Sequence, residues 1–278
     1  MRRSERLIRS GAKRPVLSVL LLLSAVICTP LAIRALEVDE PNAQDRQIVR
    51  TIAKRMKLFH LSNQDMDDDI SKKGFQLYLK SLDPSKMYFY QSDIDEFSAS
   101  ADELDDLAKS GDLSFAFAVF NRFLKRIEER LVVINQLIES EHDFTLDEVM
   151  MTDSDELEFA KNPAELKDRW RKRIKYSMLV EKSEETANED AKNKLHRRYT
   201  SFAKRMNQFD AEEVTELFLT SLTTAYDPHS TYFSQSTFDN FMIQMRLNLE
   251  GIGASLQSED GVTVVKRIVP GGAADRNG

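Results

Sequence analysis

The sequence is short of the residues that turn, cross-link or metallate a chain. One cysteine in 278 residues leaves no disulfide framework. Nine glycines and seven prolines are each about half the usual share of a globular chain or less. An all-β sandwich or barrel needs many tight turns, so this scarcity argues for long helices. The four histidines (His60, His142, His196 and His229) are scattered, with no partner at metal-ligand spacing, so neither a metal nor a cofactor is expected. There is no Gly-rich phosphate loop, nucleophile elbow or zinc-protease helix motif. With 46 acidic against 39 basic residues, the balance argues against nucleic acid as a ligand. What remains is 41% hydrophobic and 31% charged residues, both signs interspersed, as solvated helix faces require.

The N-terminus departs from this pattern. Arg2, Arg3, Arg6, Arg9, Lys13 and Arg14 precede a charge-free run from Pro15 to Ile33. A basic segment followed by about a dozen apolar residues is a secretory signal pattern. Residues 1–35 are therefore expected to direct export and to be removed after Ala35. The alternative is an uncleaved anchor, because the 18 residues from Val16 to Ile33 reach the lower limit for a membrane span. Without residues 1–35 the chain holds 32 basic and 45 acidic residues, a net charge of −13, and no cysteine.

From Pro41 to about Asn248 the periodicity is helical almost throughout. Ile48, Ile52, Met56 and Phe59 form one stripe. Asp93 stands as a cap before Ile94, Phe97, Leu104 and Leu107, with Gly111 as the stop. Asp112 precedes a long stripe from Phe115 to Ile138. Pro163 opens a helix with Leu166, Trp170, Ile174 and Met178 on its apolar face, which makes Trp170 a core residue rather than a base-stacking one. Glu181 to Asn207 reads as a solvated helix, and Asp210 caps Val214 to Leu222.

A repeat lies within this body. Asp83-Pro84-Ser85-Lys86-Met87-Tyr88-Phe89-Tyr90-Gln91-Ser92 aligns with Asp227-Pro228-His229-Ser230-Thr231-Tyr232-Phe233-Ser234-Gln235-Ser236, and Asp95 and Phe97 match Asp239 and Phe241. Eight of fifteen positions are identical at an offset of 144. The helix ends before each copy, Leu79 to Leu82 and Leu219 to Leu222, match at an offset of 140. Proline bars helical continuation at the residue before it, so each copy is expected to be a corner between two helices, plugged by an aromatic pair.

After Leu247 the period changes. Gly251-Ile252-Gly253-Ala254 leads into a short alternating strand. Ser258 to Gly261 reads as a hairpin turn, Val262 to Val269 as a second strand, and Pro270-Gly271-Gly272-Ala273-Ala274 as the entrance to a helix. Six of the nine glycines lie between Gly251 and Gly278. A glycine loop of this kind can aim backbone N–H groups at a carboxylate, beside a strand edge open to β-augmentation.

Leu249-Glu250-Gly251-Ile252-Gly253-Ala254 and Ile268-Val269-Pro270-Gly271-Gly272-Ala273-Ala274 resemble the opening of the PDZ domain of the tail-specific (C-terminal processing) serine proteases. Tyr226 to Phe233, the helix from Phe238 to Leu249, and Tyr78 to Asp83 are similar to segments upstream of that domain. The resemblance implies a mainly α N-terminal domain (36–245) followed by the first strands of an α+β PDZ-like domain (246–278), incomplete here. It implies a periplasmic endopeptidase, free or anchored to the inner membrane, that recognises proteins or peptides with apolar C-termini. Membrane contact would come only through an uncleaved N-terminal segment. Gly251, Ile252, Gly253 and Ala254 would bind the substrate's terminal carboxylate. The nucleophilic Ser and its Lys base lie in a later domain of that family, so no catalytic residue is assigned and these residues alone are expected to be inactive. The other reading of the sequence is a non-enzymatic exported helical interaction protein.

Overall fold

The structure, a computed structural model, describes residues 38–183, 188–246, 251–259 and 262–277. The expected signal segment, 1–35, lies outside the described residues, as do positions 260–261 of the hairpin turn. The described elements are α1 (Ala43–Phe59), α2 (Asp68–Leu82), α3 (Gln91–Ser98), α4 (Leu104–Ser110), α5 (Ser114–Glu139), α6 (Pro163–Ser183), α7 (Asn188–Met206), α8 (Ala211–Thr224), α9 (Gln235–Arg246), β1 (Ala254–Glu259), β2 (Val262–Ile268) and α10 (Ala273–Asn277). The chain is thus mainly helical, with two antiparallel strands near its C-terminal end. No helix among the described residues is long and apolar enough to cross a membrane.

Local chemistry sets the helix starts. Asn42 Oδ1 accepts from the N–H groups of Gln44 and Asp45, and the Asp45 carboxylate accepts from Asn42 N–H. Asp210 and Glu213 repeat the exchange at α8. Each satisfies donors that a helix start leaves orphaned. Two expected elements differ. The run from Asp93 to Leu107 is two helices, broken at residues 99–103, and Asp93 is the third residue of α3 rather than its cap. Along α1 the buried line passes through Val49 and Ala53, a rotation that turns Phe59 out to 76% exposure. The segment 141–162, read as part of a helical body, is irregular. It is pinned by Glu148, whose carboxylate pairs with Arg171 and Lys175.

The repeat explains the centre of the fold. Gly74 in α2 has no Cβ, and one built there would stand 2.7 Å from Leu222 Cδ2, so α8 approaches closely. Tyr78 meets Phe218 edge-on with ring centroids 5.7 Å apart. These two contacts run in opposite directions along the helices, so α2 and α8 are antiparallel. Tyr78 and Phe218 are also equivalent in the two copies, 140 residues apart, which puts a local pseudo-two-fold through their contact. The buried Tyr78 hydroxyl donates to the Ala116 carbonyl at 2.9 Å, fixing α5 against the pair.

Helix α5, 26 residues and about 39 Å long, joins two apolar clusters. Its first half packs with α1, α2, α4 and α8, and its second half with α6 and α7 around Trp170. Trp170 is a core residue, as its place on the stripe implied, and its Nε1–H donates to the Met87 carbonyl at 2.8 Å. Tyr88, the first corner aromatic, sits at the junction. It meets Phe123 and Trp170 edge-on and stacks on Phe202.

Candidate functional site

The two corners share a plan. In the first, the Asp83 carboxylate accepts from the N–H groups of Met87, Tyr88 and Phe89 at 2.9, 2.9 and 3.0 Å. Burial pushes its carboxyl above the ordinary range, and those three N–H groups pull back without offsetting it. In the second, Asp227 accepts from His229 N–H and Ser230 Oγ–H and faces His60 Nε2 at 2.7 Å. The His229 N–H, the Ser230 hydroxyl and His60 hold this carboxyl below its usual value. Downstream of both, Gln91 donates to Asp95 and Gln235 to Asp239, each at 2.9 Å. Phe89 meets Phe97 as Phe233 meets Phe241, at 5.8 and 5.5 Å.

The copies differ in what covers them. Helix α3 is clamped to α5: Asp93 takes Arg126 Nε and Nη2 at 2.9 and 2.7 Å and Arg122 Nη1 at 2.6 Å. Arg126 and Arg130 lie 4.8 and 4.4 Å over the Tyr90 ring. In α9, Thr237 and Asn240 stand at the places of Asp93 and Glu96, which removes the charges that such a clamp needs. Phe89 is fully buried, whereas Phe233 and Phe241 are 37% and 40% exposed.

Beyond α9 comes the glycine loop. Gly253 has φ +74°, and a Cβ there would meet Ala273 N at 2.6 Å. A side chain is therefore excluded both by conformation and by space. The Ile252 carbonyl accepts from Ala274 N–H, and the Gly253 carbonyl from Val269 N–H, each at 2.8 Å. In a trans peptide the next N–H points the other way, so the N–H groups of Gly253 and Ala254 face away from the 269–274 segment. Among the described residues nothing accepts from the N–H of Gly251, Ile252 or Gly253. Gly251 stands in open space, Ile252 is 60% exposed, and Ala254 pairs with Ile268 at the start of the hairpin. All four residues of the sequence-derived set lie together. Strand β1 has β2 on one side only among the described residues, and Leu256, Val265 and Ile268 are exposed along the hairpin.

Two comparisons place this architecture. Residues 52–236 match the family model described as the tail specific protease N-terminal domain. The chain is also 33% identical over 224 residues to the tail-specific protease of Haemophilus influenzae, covering 80% of this chain and 32% of that protein. The chain belongs to the tail-specific protease family. It spans about a third of the length of that relative, and the tail-specific protease N-terminal domain as matched closes at the start of α9. The hairpin and glycine loop therefore follow that domain in sequence.

Sequence reasoning missed His60. Its ring bridges Ser62 Oγ, Ser230 Oγ and Asp227 and lies 4.9 Å from Tyr226, whose hydroxyl burial pushes up to about 12. The partners are 167 residues apart, so no local spacing announces them.

Proposed function

We propose that this chain carries the substrate-receiving part of an exported, periplasmic tail-specific serine endopeptidase. The observation that carries the reading is the Gly251–Ala254 loop. Its Ile252 and Gly253 carbonyls are committed to residues 274 and 269, which leaves the Gly253 and Ala254 N–H groups turned outward at the mouth of an open strand edge. Such donors suit the terminal carboxylate of a substrate, and the edge of β1 suits its extended backbone. The exposed Ile252 and Leu256 would select apolar tails. The helical domain precedes this loop in sequence, and peptide-bond hydrolysis would belong to the whole protein. Residues 1–35 would direct export and leave Leu36 as the mature N-terminus.

The test uses the full-length protein and an apolar-tailed peptide as free acid and as C-terminal amide. Binding of the acid at least about tenfold tighter is expected. Equal affinity would remove the carboxylate assignment. N-terminal sequencing of exported protein checks the cleavage site, and a retained Met1 would identify an anchor instead.

A further inference from the structure

The pseudo-symmetry of the two repeats makes the surroundings of their corners comparable position by position. Along α2, beside the first corner, lies an open cavity of 620 Å³ bounded by α3, the end of α8 and residues 154–159. Leu77, Ile94 and Phe159 give it an apolar floor, and Lys73, Gln76, Lys80 and Asp155 line its rim. This volume is in the range of a small-molecule or short-peptide pocket.

In the second copy the equivalent positions are tied to their own corner. Glu216, the counterpart of Gln76, accepts from Ser234 N–H and Thr237 Oγ–H at 3.2 and 2.9 Å. Thr220, the counterpart of Lys80, donates to the Tyr232 carbonyl at 2.9 Å. Those side chains draw their own corner onto α8. In the first copy Lys73 and Gln76 make no hydrogen bond or ion pair among the described residues. Lys80 reaches only the Asp155 carboxylate, at 2.8 Å, in an exposed pair. Exposed pairs of that kind contribute little to stability and exchange readily. Lys73 stands where the second copy has Glu213, whose carboxylate is spent on the Asp210 N–H. Lys86 holds the Leu157 carbonyl and lies 5.5 Å from the Phe159 ring centroid, which keeps the far wall in place.

We infer that this cavity is a docking site for an extended apolar peptide segment bearing acidic side chains, supplied by another protein. The apolar floor takes its hydrophobic side chains, the Gln76 amide meets its backbone, and Lys73 and Lys80 take its carboxylates. Lys80 exchanges Asp155 for the incoming acid. An aliphatic carboxylate would use the lysines and the floor but not the amide of exposed Gln76, which the backbone of an extended peptide can use, so the peptide is the better fit. The site does not depend on the Gly251–Ala254 loop.

The experiment is fluorescence anisotropy with the intact chain and a labelled hexapeptide of leucine and phenylalanine carrying two glutamates. Its ends are acetylated and amidated, so it offers no terminal carboxylate to the glycine loop. Saturable binding is expected, about tenfold weaker for the same peptide with glutamine in place of glutamate. The double variant Lys73→Glu, Lys80→Glu should lose a similar factor, whereas Lys204→Glu on α7 should change nothing. Both lysines are exposed, and circular dichroism of the double variant confirms its fold. A photoreactive version of the peptide should label residues 73–94 or 154–159. Absence of binding, equal affinity for the glutamine peptide, or equal affinity of the double variant would each overturn the site. So would labelling confined to residues 251–277, or decanoate competing at the peptide's own concentration.

Discussion

Replacing Asp83 by alanine isolates what one corner carboxylate does. Asp83 is 2% exposed, and its oxygens take the N–H groups of Met87, Tyr88 and Phe89. Deleting it orphans three backbone donors inside the protein, at roughly 1–3 kcal/mol each. Part of this is offset, because burial disfavours the ionised carboxylate and pushes its titration upward. The lower end of the range, about 3 kcal/mol, is therefore expected. With an m-value of roughly 3 kcal/mol per M, that moves the urea midpoint down by about 1 M. Far-UV circular dichroism reads the transition, since the corner joins helices on both sides. Asp83→Asn keeps the shape and one acceptor oxygen, which can still take the Tyr88 and Phe89 N–H groups, and sets its N–H₂ against Met87 N–H alone, so its shift should be clearly smaller than that of Asp83→Ala. Asp227→Ala is the matched control, because its carboxylate is partly exposed and water can replace it; its shift should be clearly smaller. A midpoint within about 0.3 M of wild type for Asp83→Ala, or equal shifts for Asp83→Ala and Asp227→Ala, would refute the reasoning.

Two further outcomes follow from the geometry. Burial draws the Asp93 carboxyl upward, but Arg126, the Tyr90 N–H and Arg122 outweigh it and hold it below 3.8. A carboxyl lowered in the native state adds stability that is complete above its unfolded value and lost as the pH falls through the native one. The advantage of wild type over Asp93→Asn in urea should thus be full at about pH 6 and shrink below about pH 4; a gap constant down to about pH 3 would contradict this. In the glycine loop, Gly253→Ala forces a Cβ to 2.6 Å from Ala273 N. Amide exchange at Ala274, whose N–H is held by Ile252, should speed up about tenfold, whereas Gly251→Ala, in open space, should leave it unchanged.

What the sequence made legible was local. The Asp210 cap, the stop at Gly111 (φ +74°) and the Asp-Pro corners each depend on residues a few positions apart, and each appears where the spacing put it. The split of α3 from α4 was not legible, because apolar residues keep a helical spacing across a break made by the turn at 99–103. Nor was the purpose of Asp93. It was read as a cap, but its principal partners are arginines 29 and 33 residues further on. The irregular 141–162 segment carries no glycine, and no proline before Pro163 just beyond it, to mark its break from the helices on either side. Its anchor, the Glu148 carboxylate on Arg171 and Lys175, is a pair of long-range ion contacts.

The repeat shows where the missing information lay. Its eight identities encode the corner itself: the Asp that caps the turn, the Pro, the aromatic pair, and the Gln–Asp link in the following helix. They say nothing of burial, and the same Phe–Phe contact is sealed in one copy and open in the other. The differences encode the surroundings. Asp93 and Glu96 bind the arginines of α5, and Thr237 and Asn240 in their places leave α9 without a charged clamp. Gln76 and Lys80 leave a cavity beside the first corner, where Glu216 and Thr220 close the second onto its own helix. Equivalent residues that meet at a pseudo-two-fold, as Tyr78 meets Phe218, must stay compatible with each other, and both are aromatic. Residues away from that axis are free to diverge. In this chain the divergent positions are therefore the ones that separate a structural corner from a surface open to ligands.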